Sequence, residues 1–584
     1  MGNFKIKTPH AAVLVWNYND RIGNPEGAYN ATGVKDAQGT EKYELPVIVS
    51  TLSCVSIQTT KAKGQPEGSF NLVLAPFKNW TSTLTAGSWC VILMSNEPIT
   101  EKDLKQANKN QVKMLGRIES VRCETQVNDE GARQTLYYVS GVDWGHIFNS
   151  QLYVDNLIAA PNDPKSLGNS AAVAIRNALF GKEGSPQNFT VAQNLTNILG
   201  IMGKNLSGFT EAGKEINRLS NSIYEFEIPD PLAKFFRFVD PQNKKVSSKS
   251  INKLITLQTG SLVNTDKYDD KKEAVGFIDP FSLQGTHSLW QILMENSNPV
   301  LNEMFTDFRW NADSTVALTL YNRIKPFAYK NFKPSPGDSS SLKSYFQHIK
   351  THQLIADEVI SVNAGTNWRD KFNFIEIKPE FQEFNVVANW YKQKSQVFDE
   401  ESFRREGFRP LILGTKQFPS GSEKGGLPND IGIDWGQLVN WCNLLREWYF
   451  GTHRMLNGTI TIHGSTEYIC VGNNIRFDAG LINPTPNMNA ESRRTGQTNS
   501  ILAHVEAVSH SFSVTPDGAR QYRTTISFVR GIIVNKNNVN VGDGMLDQMA
   551  AGKGALSQSD DRNTKNVNST SMPEDPDPQK VRGT

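Results

Sequence analysis

The feature that most constrains this chain is an internal repeat. Residues 118–142 (IESVRCETQVNDEGARQTLYYVSGV) and 505–529 (VEAVSHSFSVTPDGARQYRTTISFV) align without a gap at one offset, 505 − 118 = 387, and nine of 25 positions are identical. Average residue usage would give about one or two identities by chance. The match includes the run Gly131-Ala132-Arg133-Gln134 against Gly518-Ala519-Arg520-Gln521. A duplication on this scale means that one supersecondary unit was built twice, and it fixes the fold class before any local reading does.

Each copy reads as a long β-hairpin. Apolar residues recur at every second position of the return strand, Tyr137 and Val139 in one copy, Ile526 and Phe528 in the other. The turns fall at Asp129-Glu130-Gly131 and Pro516-Asp517-Gly518, where glycine supplies the positive φ of a tight or bulged hairpin. Looser matches extend the repeat upstream. Cys54–Thr59 parallels Val359–Asn363, and Phe70–Leu74 parallels Phe372–Ile377, each pattern suiting a half-buried strand. Gly458–Ile462 and Tyr468–Phe477 add later strands to the second copy.

The expected fold class is therefore mainly β with α+β insertions, two β-barrel modules being related by duplication. Residues 1–150 hold an N-terminal segment and the first barrel, and 151–349 form a mixed α/β insertion. Residues 350–379 and 453–534 form a second, split barrel around a helical insertion at 380–452, and 535–584 is a polar tail. Several apolar stripes predict helices. Leu438, Trp441, Cys442, Leu445 and Trp448 follow a cap at Asp434, and Leu289, Ile292 and Leu293 follow Thr286. Leu301, Met304, Phe305 and Phe308 suggest a third helix after Pro299, and 165–226 suggests further short ones. The tail has too little apolar surface to order by itself.

Composition narrows the function. At 584 residues the chain exceeds one core. Its 61 basic against 59 acidic residues give a formal charge of +2, with no basic stripe, so dedicated nucleic-acid binding is not expected. No apolar run is long enough to span a membrane, and Met1–His10 has no apolar stretch of the kind that marks a signal peptide. Five dispersed cysteines, Cys54, Cys90, Cys123, Cys442 and Cys470, suggest buried free thiols in a protein assembled in the cytoplasm.

A search for chemistry finds no constellation. His348 and His352 stand four apart, as zinc ligands on a helix would, but no third ligand accompanies them. Neither a nucleophile elbow nor a phosphate loop is present. Glu303 and Asp307 form a carboxylate pair on paper, read first as a solvated helix face. Asp143-Trp144-Gly145 and Asp434-Trp435-Gly436 are read as helix caps. No catalytic, metal-binding or cofactor-binding residue is assigned, and no cofactor is expected.

The order of these segments resembles a known family. The hairpin ending in Ser140-Gly141-Val142-Asp143-Trp144-Gly145, the segment Asn302-Glu303-Met304-Phe305-Thr306-Asp307, and His504–Gly531 closing on Val529-Arg530-Gly531 look like the central baseplate hub proteins of contractile-tailed bacteriophages. These are related to the hub portion of type VI secretion spike proteins. The resemblance implies two tube-like β-barrels per chain and a virion structural protein without enzymatic activity. It implies a homotrimer whose six barrels give pseudo-sixfold symmetry, joining a hexameric tail tube protein to a trimeric central spike protein. Baseplate wedge proteins are further expected partners, through the insertions and the tail. Arg133, Gln134, Arg520 and Gln521 are the candidate interface residues. A tail-associated cell-wall hydrolase and a glycan-binding tail protein are the alternatives.

Overall fold

The computed structural model describes residues 8–19, 46–127, 133–149, 151–154, 227–238, 254–260, 285–325, 349–379, 396–415, 435–482, 500–515 and 517–534, with a few shorter stretches between them. The tail at 535–584, and nearly all of 165–226, lie outside the described residues. The first module is made of β1 (His10–Trp16), β2 (Val47–Val49), β3 (Cys54–Ala62), β4 (Ser69–Leu74), β5 (Trp89–Ser95), β6 (Val112–Val127) and β7 (Arg133–Asp143). The strands are antiparallel in the order β3-β4-β7-β6-β5-β1-β2. In β4 burial alternates strictly, Phe70, Leu72 and Leu74 pointing into the core, as period-2 geometry requires. In contrast, β1 and β5 are buried on both faces, because a second layer covers them.

That layer comes from the central region. Helices α1 (Asp230–Phe236) and α2 (Leu289–Asn296) accompany a three-stranded sheet of β8 (Ile255–Gly260), β9 (Asn302–Trp310) and β10 (Val316–Ile324). Ser288 starts α2, its hydroxyl accepting from the Gln291 amide at 3.1 Å. The helix expected over Leu301–Phe308 is instead strand β9, paired with β10 from Asn302↔Ile324 to Trp310↔Val316. The strand is buried on both sides, so apolar residues need not alternate along it, and their spacing imitated a helix.

The second module contains β11 (Thr351–Gln353), β12 (Val359–Gly365), then, after an interruption, β16 (Leu456–His463), β17 (Asn474–Asp478), β18 (Ser500–Val514) and β19 (Arg520–Val534). The interruption supplies β13 (Phe374–Pro379), β14 (Gln396–Phe398), helix α3 (Glu400–Glu406), β15 (Pro410–Thr415) and helix α4 (Trp435–Phe450). Here the expected pairing of Phe372–Ile377 with Phe70–Leu74 is corrected. Strand β13 belongs to a separate sheet, β14-β13-β15, and the counterpart of β4 is β16. The alternation in Phe372–Ile377 is real, but the partner strands that it serves lie within the insertion.

With that correction five strands of each module match in order, while β11 pairs with β17 in parallel where β1 pairs with β5 antiparallel. The order β12-β16-β19-β18-β17 repeats β3-β4-β7-β6-β5, antiparallel throughout. The match reaches single bulges. In the first hairpin the register slips between Ile118↔Gly141 and Ser120↔Ser140, leaving Glu119 as the extra residue. In the second it slips between Val505↔Phe528 and Ala507↔Ser527, leaving Glu506. Both sites are the same position at the offset of 387. A bulge re-aims a strand, so its retention preserves the shape of the hairpin as well as its pairing. One pair is exchanged across the duplication: Phe70 faces Gly141 in the first module, whereas Gly458 faces Phe528 in the second. Both phenylalanines are buried, so each module keeps one ring at that place in its core.

Candidate functional site

The two Gly-Ala-Arg-Gln turns occupy equivalent registers. Arg133 lies opposite Val127 and Gln134 opposite Gln126, while Arg520 lies opposite Val514 and Gln521 opposite Ser513. Gly131 and Gly518 have φ of 77° and 81°, the left-handed conformation expected of them. Their surroundings differ. Arg133 and Gln134 are exposed, whereas Arg520 is half-buried beside His10 of the first module. Burial, and then the charge of Arg520, lower the His10 imidazole from its ordinary range.

This contact belongs to a joint that sequence reasoning missed. The outer half of β18 pairs antiparallel with β3 over seven residue pairs, from Ala507↔Ala62 to Ser513↔Ser56. The pairing fuses both modules into one 13-stranded sheet. Phe512 and Tyr522, at the hairpin tip, are buried in the first module's core with Ile57, Phe70 and Leu72. Nearby, the Asn96 side-chain amide donates to the Gly464 carbonyl at 2.7 Å, and Gly464 lies so close against the Tyr522 ring that a β-carbon would not fit. The repeat holds a hint of this asymmetry, since Phe512 and Tyr522 replace Thr125 and Thr135.

The equivalent edges of the two modules lack this partner among the described strands. Strand β12, the counterpart of β3, pairs only with β16 and ends the sheet. The outer half of β6, the counterpart of β18, pairs only with β7, because β5 reaches only from Val112 to Arg117. Arg122 to Val127 are exposed. A groove of about 570 Å³ runs beside them, lined by Asn71, Val73, Ser120, Arg122 and Tyr138. On β12, Val359, Val362 and Ala364 are half-exposed, where Cys54, Ile57 and Thr59 of β3 are buried. Open edges of this kind are templates for pairing with another chain.

The carboxylates singled out by sequence prove to be buried. Glu303 accepts from Lys63 at 2.9 Å, Arg323 at 2.8 Å and His504 at 3.1 Å, and Lys63 also pairs with Glu506 of the bulge. Burial alone would raise the Glu303 carboxyl, but Lys63, His504 and Arg323 hold it well below the usual range. Asp307 is bonded to the Tyr468 hydroxyl, and burial raises its carboxyl. The expected solvated helix face is thus a buried face of β9, since residues i and i+4 of a strand point the same way. These groups fasten the central sheet to the module joint.

The remaining candidates are placed as follows. His352 lies on β11, not on a helix, bonded to Glu467 at 2.9 Å and Asn473 at 3.0 Å, and His348 lies outside the described residues. Burial, then Lys350, lower His352 to about 4. Asp143 does cap, accepting from the Gly145 amide at 2.9 Å, and also pairs with Lys61, whereas Asp434 lies outside the described residues. All five cysteines are free, and Cys123 is exposed, contrary to the expected burial. Among the described residues no cluster of three or more His, Cys, Asp or Glu could hold a metal, and no helix is long and apolar enough to cross a membrane.

No family model and no curated protein matches the chain. Among solved structures, the chain is similar to a tail protein from Neisseria meningitidis MC58, at 11% identity and a TM-score of 0.37, over 91% of this chain and 99% of that one. It is similar to the 43 kDa tail protein of prophage MuSo2 from Shewanella oneidensis, at 12% identity and a TM-score of 0.36, over 83% and 95%. A lidless PdpA-VgrG complex matches at 6% identity and a TM-score of 0.36, over 91% of this chain and 66% of that one.

Proposed function

We propose that this chain is a structural, non-enzymatic hub of a contractile phage tail, acting as a homotrimer in which six modules form a pseudo-sixfold ring. The observation that carries this reading is the duplication itself. The two modules agree in strand order, register and bulge, and one joins the other through an edge that each possesses. A head-to-tail contact repeated between copies gives a closed ring when its rotation closes, and duplication lets three chains present six similar faces. Such a ring can meet a sixfold tube on one side and a threefold spike on the other, which is the role implied by the sequence resemblance. In that role the chain resides in the virion baseplate, with the insertions and tail directed at neighbouring baseplate proteins.

A glycosidase reading would require paired carboxylates at a cleft. The pair singled out in the sequence, Glu303 and Asp307, is buried and bonded within the protein. Light scattering on the full chain, followed by averaged images, tests the proposal. A trimer with sixfold-like density is expected. A stable monomer, alone and with tube and spike proteins, would overturn it, and so would clearing of peptidoglycan in a zymogram.

A further inference from the structure

We infer that β12 of one copy adds to the outer half of β6 of the next, in a register dictated by the joint inside the chain. This inference rests on the ring reading and specifies the surface that closes it. Two correspondences supply the register. Strand β18 maps onto β6 at the offset of 387. Strand β3 maps onto β12 at 359 − 54 = 305, since both slip by one residue at the same place: Cys54↔Leu74 then Ser56↔Val73, and Val359↔Ile462 then Ser361↔Thr461. Applied to the seven pairs of the internal joint, these offsets place Gly365 opposite Arg122, Ala364 opposite Cys123, Asn363 opposite Glu124 and Val362 opposite Thr125.

Three observations agree with this pairing. The two edges have no strand partner among the described residues. The core-facing side chains of β12 are half-exposed, while those of β3, which has its partner, are buried. Ala364 is small and Cys123 is the one exposed thiol, so the facing positions are sterically open. The joint between copies differs from the internal one in strength. Thr125 and Thr135, hydroxyl to hydroxyl at 3.1 Å, stand where Phe512 and Tyr522 anchor the internal joint. The contact between copies therefore forms with less apolar burial and depends on concentration, while the internal joint does not.

Ala364→Cys in the full chain tests the register directly, because the new thiol would face the native Cys123 of a neighbour. Oxidation should give a non-reducing gel ladder of dimer and trimer that stops at trimer, and Cys123→Ser in the same background should abolish it. A second pair, Glu124→Cys with Asn363→Cys in a Cys123→Ser background, probes the opposite face of the same strands and should cross-link likewise. Trimers by light scattering without cross-linking in either variant would overturn the register but leave the ring reading. A monomer at every concentration would overturn both, and a ladder running past trimer would overturn closure.

Discussion

Lys63 makes two ion pairs that differ chiefly in burial, and this offers a quantitative test of what holds the central sheet to the module joint. Its partners are Glu303, whose side chain is 3% exposed, and Glu506, which is 34% exposed. Replacing Glu303 by Gln removes the charge that Lys63, Arg323 and His504 all face. Removing one partner of a buried pair typically costs about 3–5 kcal/mol, because the other charge is left uncompensated. Glu506→Gln removes a charge in contact with water, where such pairs contribute about 0–1 kcal/mol. A chain of this size need not unfold in one step, so the assay is hydrogen exchange at the amides of β9 and β10. The expected result is exchange faster by roughly a hundredfold to a few thousandfold in Glu303→Gln, and less than about tenfold in Glu506→Gln. Glu303→Met combined with Lys63→Met and Arg323→Met should recover much of the loss. Equal effects of the two single changes, or less than a tenfold effect of Glu303→Gln, would refute the account.

Phe512→Ala should open the internal joint, at a cost of about 3–5 kcal/mol, seen as faster exchange in β3 and the outer half of β18. Acid should destabilise the second module before it reaches the carboxylates. The folded His352 takes its proton only near pH 4, against an ordinary value near 6.5, so stability present above 6.5 is lost as pH falls toward 4, by ~3 kcal/mol at most from this residue. His504 and His510, also lowered by burial, act in the same direction, and denaturation midpoints between pH 8 and 4 measure the sum. In the dissociated chain one thiol, Cys123, should react promptly with a thiol reagent, and it should react more slowly in the trimer, where β12 of a neighbour covers it. The other four should react only on unfolding, Cys54 and Cys442 being pushed up to about 12 by burial.

Much of this architecture was legible in the sequence because it is local. The hairpins announce themselves by alternation and by a turn glycine, and α4 by its stripe of Leu438, Trp441, Leu445 and Trp448. The failures share one cause, that burial on both faces or pairing across long separations leaves no local trace. Leu301–Phe308 imitated a helix because β9 is buried on both faces from Glu303 to Phe308. Phe372–Ile377 imitated a module strand because alternation does not say which sheet a strand joins. The joint itself is recorded by contacts such as Thr60 to Ser509, 449 residues apart at 3.2 Å, which no periodicity announces. Of the candidate interface residues, the register of Arg133, Gln134, Arg520 and Gln521 was legible, but the different environments of the two turns were not.

The exchanged Phe and Gly pair has a consequence for how copies of this chain recognise their own halves. Two modules with the same register could, in a crowded assembly, trade hairpins between chains or within one. Strand β4 against β19 would set Phe70 against Phe528 and overfill one core, while β16 against β7 would set Gly458 against Gly141 and hollow the other. Each mistake is penalised at the centre of a sheet, where overpacking costs about 1–3 kcal/mol and a missing ring more. Twin modules, alike at their edges where they must dock, are thus kept distinguishable at their hearts, where they must not.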